Sequence, residues 1–349
     1  MIYFERPKEI EMIRQMARES VHNNRQANQP KFTESAFDCA DDLISVRRAN
    51  EWLMNVKPVK PKMLFDSFWF ENELCIMFAD TNVGKSILAV QLGNSLCTGN
   101  PIGQYQLQLP PATVVYFDFE QSAAQFEARY TGMHHAYKFS PNFFRAELNA
   151  AAGDVRNYLD RIHFIIEETI KSTKANVLMI DNLTFLSRET ERARDALAVM
   201  KFLKMLKSKY NLSILVLAHT PKRNPAKPIT NNDMQGSKML INFCDSAFAI
   251  GRSSQDTELR YLKQIKQRNV AELYGEDRVG LFQLERHDNF IQFVPRGHGH
   301  EQNHLFAAPY VITEEMRVQI INLSHQGVSN RQIGLRLGIS HTTVGRVLG

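Results

Sequence analysis

Gly84, Lys85 and Ser86 stand side by side between a short apolar run and a helical pattern, and that grouping suits one chemistry, the holding of phosphate. Glycine lets the backbone approach closely, Lys85 brings a charge to the outer phosphates, and the Ser86 hydroxyl is a ligand for magnesium. The preceding run, Leu74 to Phe78, has strand length, and Ile87, Leu88, Val90, Gln91 and Leu92 continue with helical spacing. Strand, tight loop and helix in that order make a P-loop, whose N–H groups and positive helix end surround a polyphosphate such as that of ATP. The candidate nucleotide-binding residues are therefore Ala79, Asp80, Thr81, Asn82, Val83, Gly84, Lys85, Ser86 and Ile87. Ala79 occupies the position that the pattern gives to its first glycine. Alanine adopts positive φ only at a cost, so either this position is not left-handed here or the loop is shifted. The plainer alternative is an ordinary strand-to-helix turn with a solvated lysine.

Three further polar residues end strand-like runs. Thr113 to Phe119 leads to Glu120, Asn176 to Ile180 leads to Asp181, and Leu212 to Ala218 leads to His219. Open α/β sheets place ligand sites at the C-terminal ends of their strands. Asp181 there suits a magnesium shell, and Glu120 suits a base that orients water onto a γ-phosphate. Taken singly, Asp181 could be a helix cap and Glu120 a solvated loop carboxylate.

The elements that must position these residues alternate as strand and helix from about residue 63, the pattern of a parallel sheet with crossover helices. Ala123–Tyr130, Ala151–Lys171 and Ala193–Tyr210 read as helices, Ser246–Ile250 and Arg260–Ile265 as strands. Leu281–Leu284 and Phe290–Phe293 read as a hairpin about His287-Asp288-Asn289. Residues 1–60 form a helical N-terminal region with a basic, proline-containing linker, residues 61–295 the α/β domain, and 296–310 a second linker. His298, His300 and His304 in that linker have no thiolate or carboxylate framework around them except Glu301, which makes a solvated loop the better reading than a metal site.

Residues 311–349 carry a separate signal. Glu314–Ser324, Asn330–Leu337 and His341–Val347 read as three helices, with Ser329 and Ser340 as caps and Gly338 at the turn. That is a helix-turn-helix pattern, with His341, Thr342, Thr343 and Arg346 on the outer face of its last helix, suited to base edges and phosphates of DNA. Small three-helix units also hold proteins.

The chain of 349 residues, 44% hydrophobic and 23% charged, is of ordinary globular composition. Its net charge of +5 permits nucleic-acid binding without arguing for it. Cys39, Cys75, Cys97 and Cys244 are scattered, as buried thiols in a reducing compartment would be. The charged start is no signal peptide, and no run approaches the roughly 18 apolar residues of a membrane span. A cytoplasmic location is the expectation.

Residues 60 to 295 resemble the RecA/DnaB-like ATPases, in particular the RepA-type hexameric helicases. Such proteins carry the base at the end of the strand after the P-loop helix, as Glu120 does, whereas AAA+ proteins usually carry it beside the metal-binding aspartate, where this chain has Asn182. Val216-Leu217-Ala218-His219-Thr220-Pro221-Lys222 resembles the third motif of RepA-type helicases, and Asp233-Met234-Gln235-Gly236-Ser237 their following Gly-Ser segment. Lys266-Gln267-Arg268 is similar to the Lys-x-Arg pair that these rings insert into a neighbour's nucleotide. The resemblance implies a RecA-like α/β core with a mostly parallel sheet, ATP and Mg2+ as cofactors, and a homo-oligomer, with a hexamer favoured. Catalytic roles are then implied for Lys85, Glu120, His219, Lys266 and Arg268, and for Ser86 and Asp181 at the metal. Lys222, Arg223 and Lys227, with Arg188, Arg192 and Arg194, would lie on loops that track single-stranded DNA. The implied function is a DNA-acting ATPase of helicase type in replication, mobilisation or recombination. An ATP-switched regulator without unwinding, or a nucleotide-binding adaptor, would carry the same motifs.

Overall fold

The computed structural model describes residues 48–55, 60–133, 135–148, 157–186, 193–221, 223–234, 238–307 and 312–349. The chain divides into two compact units, Met1–Lys60 and Pro61–Gly349. In the first unit the described element is α1 (Ala49–Asn55); the helical pattern expected before it lies outside the described residues.

The second unit begins with a small ladder, β1 (Met63–Phe65) and β2 (Trp69–Phe70). The main sheet then takes shape from β3 (Leu74–Ala79), α2 (Lys85–Thr98), β4 (Val114–Asp118), α3 (Ala123–Tyr130), β5 (Phe143–Glu147), α4 (Tyr158–Thr173) and β6 (Val177–Asp181). It continues through α5 (Ala193–Tyr210), β7 (Ser213–His219), α6 (Lys238–Phe243), β8 (Ser246–Arg252), β9 (Leu259–Lys266), β10 (Val279–His287) and β11 (Phe290–Gly299). Among the described residues the sheet runs β11-β10-β9-β8-β3-β7-β6-β4-β5. Pairs from β5 to β8 are parallel, and β9, β10 and β11 add antiparallel strands at one side.

Strands β3, β4 and β6 are buried along their whole length, which is why they read as unbroken apolar runs. Alternation still sorts their side chains. Cys75 and Met77 join one hydrophobic cluster with Leu88 of α2, Tyr116 and Phe293, while Leu74, Ile76 and Phe78 join the other with Ile166, Leu203 and Val216. Two helical layers thus cover a mostly parallel sheet, and strand β7 separates β3 from β6. This is a RecA-like P-loop core.

Two expectations are corrected here. The linker expected over 296–310 begins as strand, because β11 continues to Gly299 in register with Val279 of β10. Beyond it Glu301 and His304 are buried, not solvated. Glu301 accepts from the Ile229 N–H at 2.8 Å and from the Lys263 ammonium, and His304 meets Ser253 Oγ at 2.8 Å. Among the described residues no group of three or more histidine, cysteine, aspartate or glutamate side chains is gathered as a metal cage, here or elsewhere. Strand β5 was not anticipated; its half-exposed burial follows from its place at the sheet edge.

The last three helices are α7 (Glu314–His325), α8 (Asn330–Leu337) and α9 (His341–Leu348). Their apolar faces meet in a small core of Ile320, Ile333 and Val344. The Met316 N–H donates to Thr313 Oγ1 at 3.2 Å, Gly338 ends α8 at φ 66°, and the Thr343 N–H donates to Ser340 Oγ at 3.1 Å. These are the helix stops and starts that the residue types call for.

A candidate nucleotide site at the ends of the parallel strands

Ala79 closes β3. It is fully buried, pairs with His219 of β7 and Ile250 of β8, and is not among the residues with positive φ. The left-handed positions of the loop are instead Asn82 at φ 60° and Gly84 at φ 110°. Alanine is therefore tolerated where the general pattern has glycine, because the bends fall three and five residues later. Gly84 is needed twice over: a Cβ there would come within 2.9 Å of the Phe293 ring, on a backbone that side chains rarely adopt. Gln91 of α2 donates to Phe293 O at 3.0 Å and accepts from Phe293 N–H at 2.8 Å, so β11 is tied to the helix that starts at Lys85.

The Lys85 ammonium is buried under the loop. It donates to Ala79 O at 3.0 Å and Asp80 O at 3.2 Å, and lies 3.1 Å from His219 Nδ1. The other ring nitrogen, His219 Nε2, lies 2.8 Å from Glu120 Oε1. One tautomer satisfies both contacts, with Nδ1 accepting from lysine and Nε2–H donating to the carboxylate. Asn182 Nδ2 donates to the same Glu120 oxygen at 2.5 Å. The His219 hydrogen bond holds the Glu120 carboxyl below its ordinary pKa, against the opposing effect of burial. Burial lowers the pKa of Lys85, while the charges of Asp181, Glu120 and Asp80 oppose the drop.

Asp181 lies at the floor of the site. Burial pushes its carboxyl up to about 6, opposed by the neighbouring Ser86 and Tyr116 hydroxyls. The Tyr116 hydroxyl donates to Oδ2 at 2.7 Å, whereas the buried Oδ1 has no partner among the described residues. An unpartnered carboxylate oxygen beside a serine hydroxyl is the donor set that a hard cation takes, so the residues fit magnesium. Together the arrangement gathers the Lys85 ammonium, the Ser86 hydroxyl and the Asp181 and Glu120 carboxylates at the C-terminal ends of interior parallel strands.

A family model described as an AAA domain matches residues 45–225, more than half of the chain. The chain belongs to the AAA domain family. Solved structures similar to this AAA-domain chain include a KaiC-like protein from the hyperthermophilic archaeon Pyrococcus horikoshii OT3, at 14% identity and a TM-score of 0.45. That match covers 69% of this chain and 100% of the other. No curated protein matches the chain. Among the described residues no helix is long and apolar enough to cross a membrane.

The remaining candidates of this AAA-domain chain lie elsewhere. Lys266 pairs across the sheet with Ala247, level with the start of β3, so it lies about 15–20 Å from the loop at the other end of that strand. Its ammonium donates to Ile241 O at 2.5 Å and Cys244 O at 2.8 Å, covering the last carbonyls of α6. Arg268 donates to Asn242 O at 3.1 Å and to Asp245 at 3.2 Å. The Arg223 side chain is folded down, only 8% exposed, and faces Asp233 at 3.8 Å, while Lys227 is exposed. Lys222 and the segments 187–192 and 235–237, with Arg188 and Arg192, lie outside the described residues, as does the side chain of Arg194. On α9, His341, Thr342 and Arg346 are exposed and Thr343 is half-buried against Ser340.

The sequence had not pointed to Tyr116 or Asn182 as members of the site. Their one signal is position, because each sits on or directly beyond a strand whose end carries an already chosen carboxylate.

Proposed function

We propose that this chain is an ATP-driven motor acting on DNA, assembled as a homo-oligomer, with the helicase-like ring as its most complete form. The observation that carries the reading is the chain Lys85–His219–Glu120, which joins a phosphate-binding lysine to a base through a residue on the loop side of β7. Binding of ATP draws the Lys85 ammonium off His219 and the loop carbonyls onto the β- and γ-phosphates. Ser86 and Asp181 would hold magnesium, whose charge would neutralise that of the phosphates. Glu120, steadied by Asn182, accepts the proton of the water that attacks the γ-phosphorus, and ADP leaves with the bridging oxygen.

His219 sits between the phosphate and the segment that carries Arg223 and Lys227, so its shift is the step that passes the state of the nucleotide to a DNA-facing loop. Lys266 and Arg268, remote from their own P-loop, would exchange their contacts within the chain for a neighbour's nucleotide in a hexamer. The three C-terminal helices act as a helix-turn-helix that recruits the motor to duplex DNA through His341, Thr342, Thr343 and Arg346.

A second reading is an ATP-switched DNA-binding regulator that assembles without unwinding. It is favoured by Lys266 and Arg268, whose donors are already engaged by their own chain.

The test is ATP hydrolysis by wild type and Glu120→Gln, with and without single-stranded DNA, over a range of protein concentrations. Turnover that rises with DNA and with concentration, and is lost in the variant while ATP still binds, supports the motor. Turnover that is negligible and indifferent to DNA sinks it and leaves the switch. Strand displacement with ATP then separates unwinding from switching.

A further inference from the structure

Arg252 closes β8, Arg260 lies near the start of β9, and the two stand directly opposite each other in antiparallel register. Like charges so placed repel, so their neighbourhood must offset the cost. Both turn onto the P-loop. The Arg252 guanidinium donates through Nη2 to Asn82 O at 2.9 Å and to Thr81 O at 3.4 Å, and Arg260 Nε donates to Val83 O at 3.0 Å. Three consecutive carbonyls are thereby drawn toward one pair of cations. A trans peptide sets each carbonyl opposite the next residue's N–H, so the N–H groups of Asn82, Val83 and Gly84 face the other way. With left-handed backbone at Asn82 and Gly84, that is how a concavity of N–H donors for an anion is built. Arg260 is itself buried and anchored on Thr257 O at 2.6 Å and Leu259 O at 3.1 Å. Arg252 stays exposed, and with Asp80, Thr81, Arg223 and Phe306 it lines a cavity of about 560 Å³ beside the loop.

We propose that Arg252 and Arg260 are positioning residues that pre-form the phosphate-binding loop by holding its outward carbonyls, and that a bound polyphosphate offsets their mutual repulsion. The identity of that anion as the triphosphate of ATP rests on the ATPase reading above. Neither arginine has to touch the nucleotide to act.

The test uses the full chain as Arg252→Ala, Arg252→Lys and Arg260→Lys, with steady-state turnover and binding of a fluorescent ATP analogue. Removing a charged hydrogen bond that holds the loop should raise KM and Kd for ATP roughly tenfold in Arg252→Ala, with a smaller change in kcat. Arg252→Lys returns the charge and should recover part of the affinity. Arg260 is buried, so the lysine variant is used there, and its melting temperature without nucleotide reports folding. A second readout is the thermal shift given by inorganic tripolyphosphate, which has neither base nor sugar; it should shrink in Arg252→Ala. Equal KM and an equal shift in variant and wild type overturn the clamp. A fall in kcat at unchanged KM also overturns it, since that would put Arg252 on the reacting phosphate. If the wild type neither binds nor hydrolyses ATP, the ATPase reading fails, whereas a tripolyphosphate shift that still depends on Arg252 upholds the clamp.

Discussion

His219 Nε2 lies 2.8 Å from Glu120 Oε1, while Nδ1 of the same ring lies 3.1 Å from the Lys85 ammonium. The base of the proposed reaction is thus held by the group that also holds the phosphate lysine. Glu120→Gln keeps an oxygen for His219 and Asn182 but cannot take a proton. Binding of a fluorescent ATP analogue should survive this change, while kcat falls by about 10²–10⁴. Equal turnover in rapid-quench measurements would remove Glu120 from the base role.

Asp245 joins three partners below the sheet: the Leu74 N–H at 3.0 Å, Lys207 at 2.7 Å and Arg268 at 3.2 Å. Burial pushes its carboxyl up, but these partners outweigh burial and hold it below its ordinary pKa. A carboxyl with a lowered pKa in the fold stabilises it above the unfolded-state value, and that contribution is lost as pH falls through the folded one. Asp245→Asn should therefore cost about 1–3 kcal/mol at neutral pH in urea denaturation. The difference from wild type should close as the pH drops below the ordinary carboxylate range. A gap that stays constant with pH would show that charge at Asp245 is not what stabilises.

Glu301 is fully buried and holds both the Lys263 ammonium and the Ile229 N–H. Glu301→Ala leaves a buried lysine without its counter-charge and should destabilise by about 3–5 kcal/mol. Replacing both members, as Lys263→Met with Glu301→Leu, should recover much of that loss, because breaking a buried pair costs more than omitting it. Melting temperatures of the two variants check this, and equal losses in both would refute it.

Val344 is fully buried in the small core of the last three helices, whereas Arg346 and His341 of the same helix are exposed. Val344→Asp places a charge in that core and should abolish retention of duplex DNA by the full chain while leaving DNA-independent ATP turnover in place. Arg346→Ala should keep the core but lower the salt dependence of duplex binding by roughly one counterion. If both variants retard duplex DNA as the wild type does, the C-terminal helices are not the DNA contact, and an adaptor role gains.

The P-loop, the apolar strands that end in Asp181 and His219, the hairpin about Asp288 and the three C-terminal helices were all legible in the sequence. Each is written in residues a few positions apart: a period of two or 3.6, a cap, a turn residue with positive φ such as Asp288 at 53°. The residue types at strand ends named Lys85, Ser86, Glu120, Asp181 and His219 for the same reason. Only the tertiary structure decided how they meet. Strand β7 enters between β3 and β6, and this brings His219 onto Lys85 and Glu120, 134 and 99 positions away in the chain. The same holds for the carbonyl contacts of Lys266, for the arginines on the P-loop, and for Glu301, which local polarity marks as solvated and a lysine 38 positions away draws inside. A hydrogen bond or ion pair across that many residues leaves no periodicity in the chain, so its partners become known only when the sheet order is known.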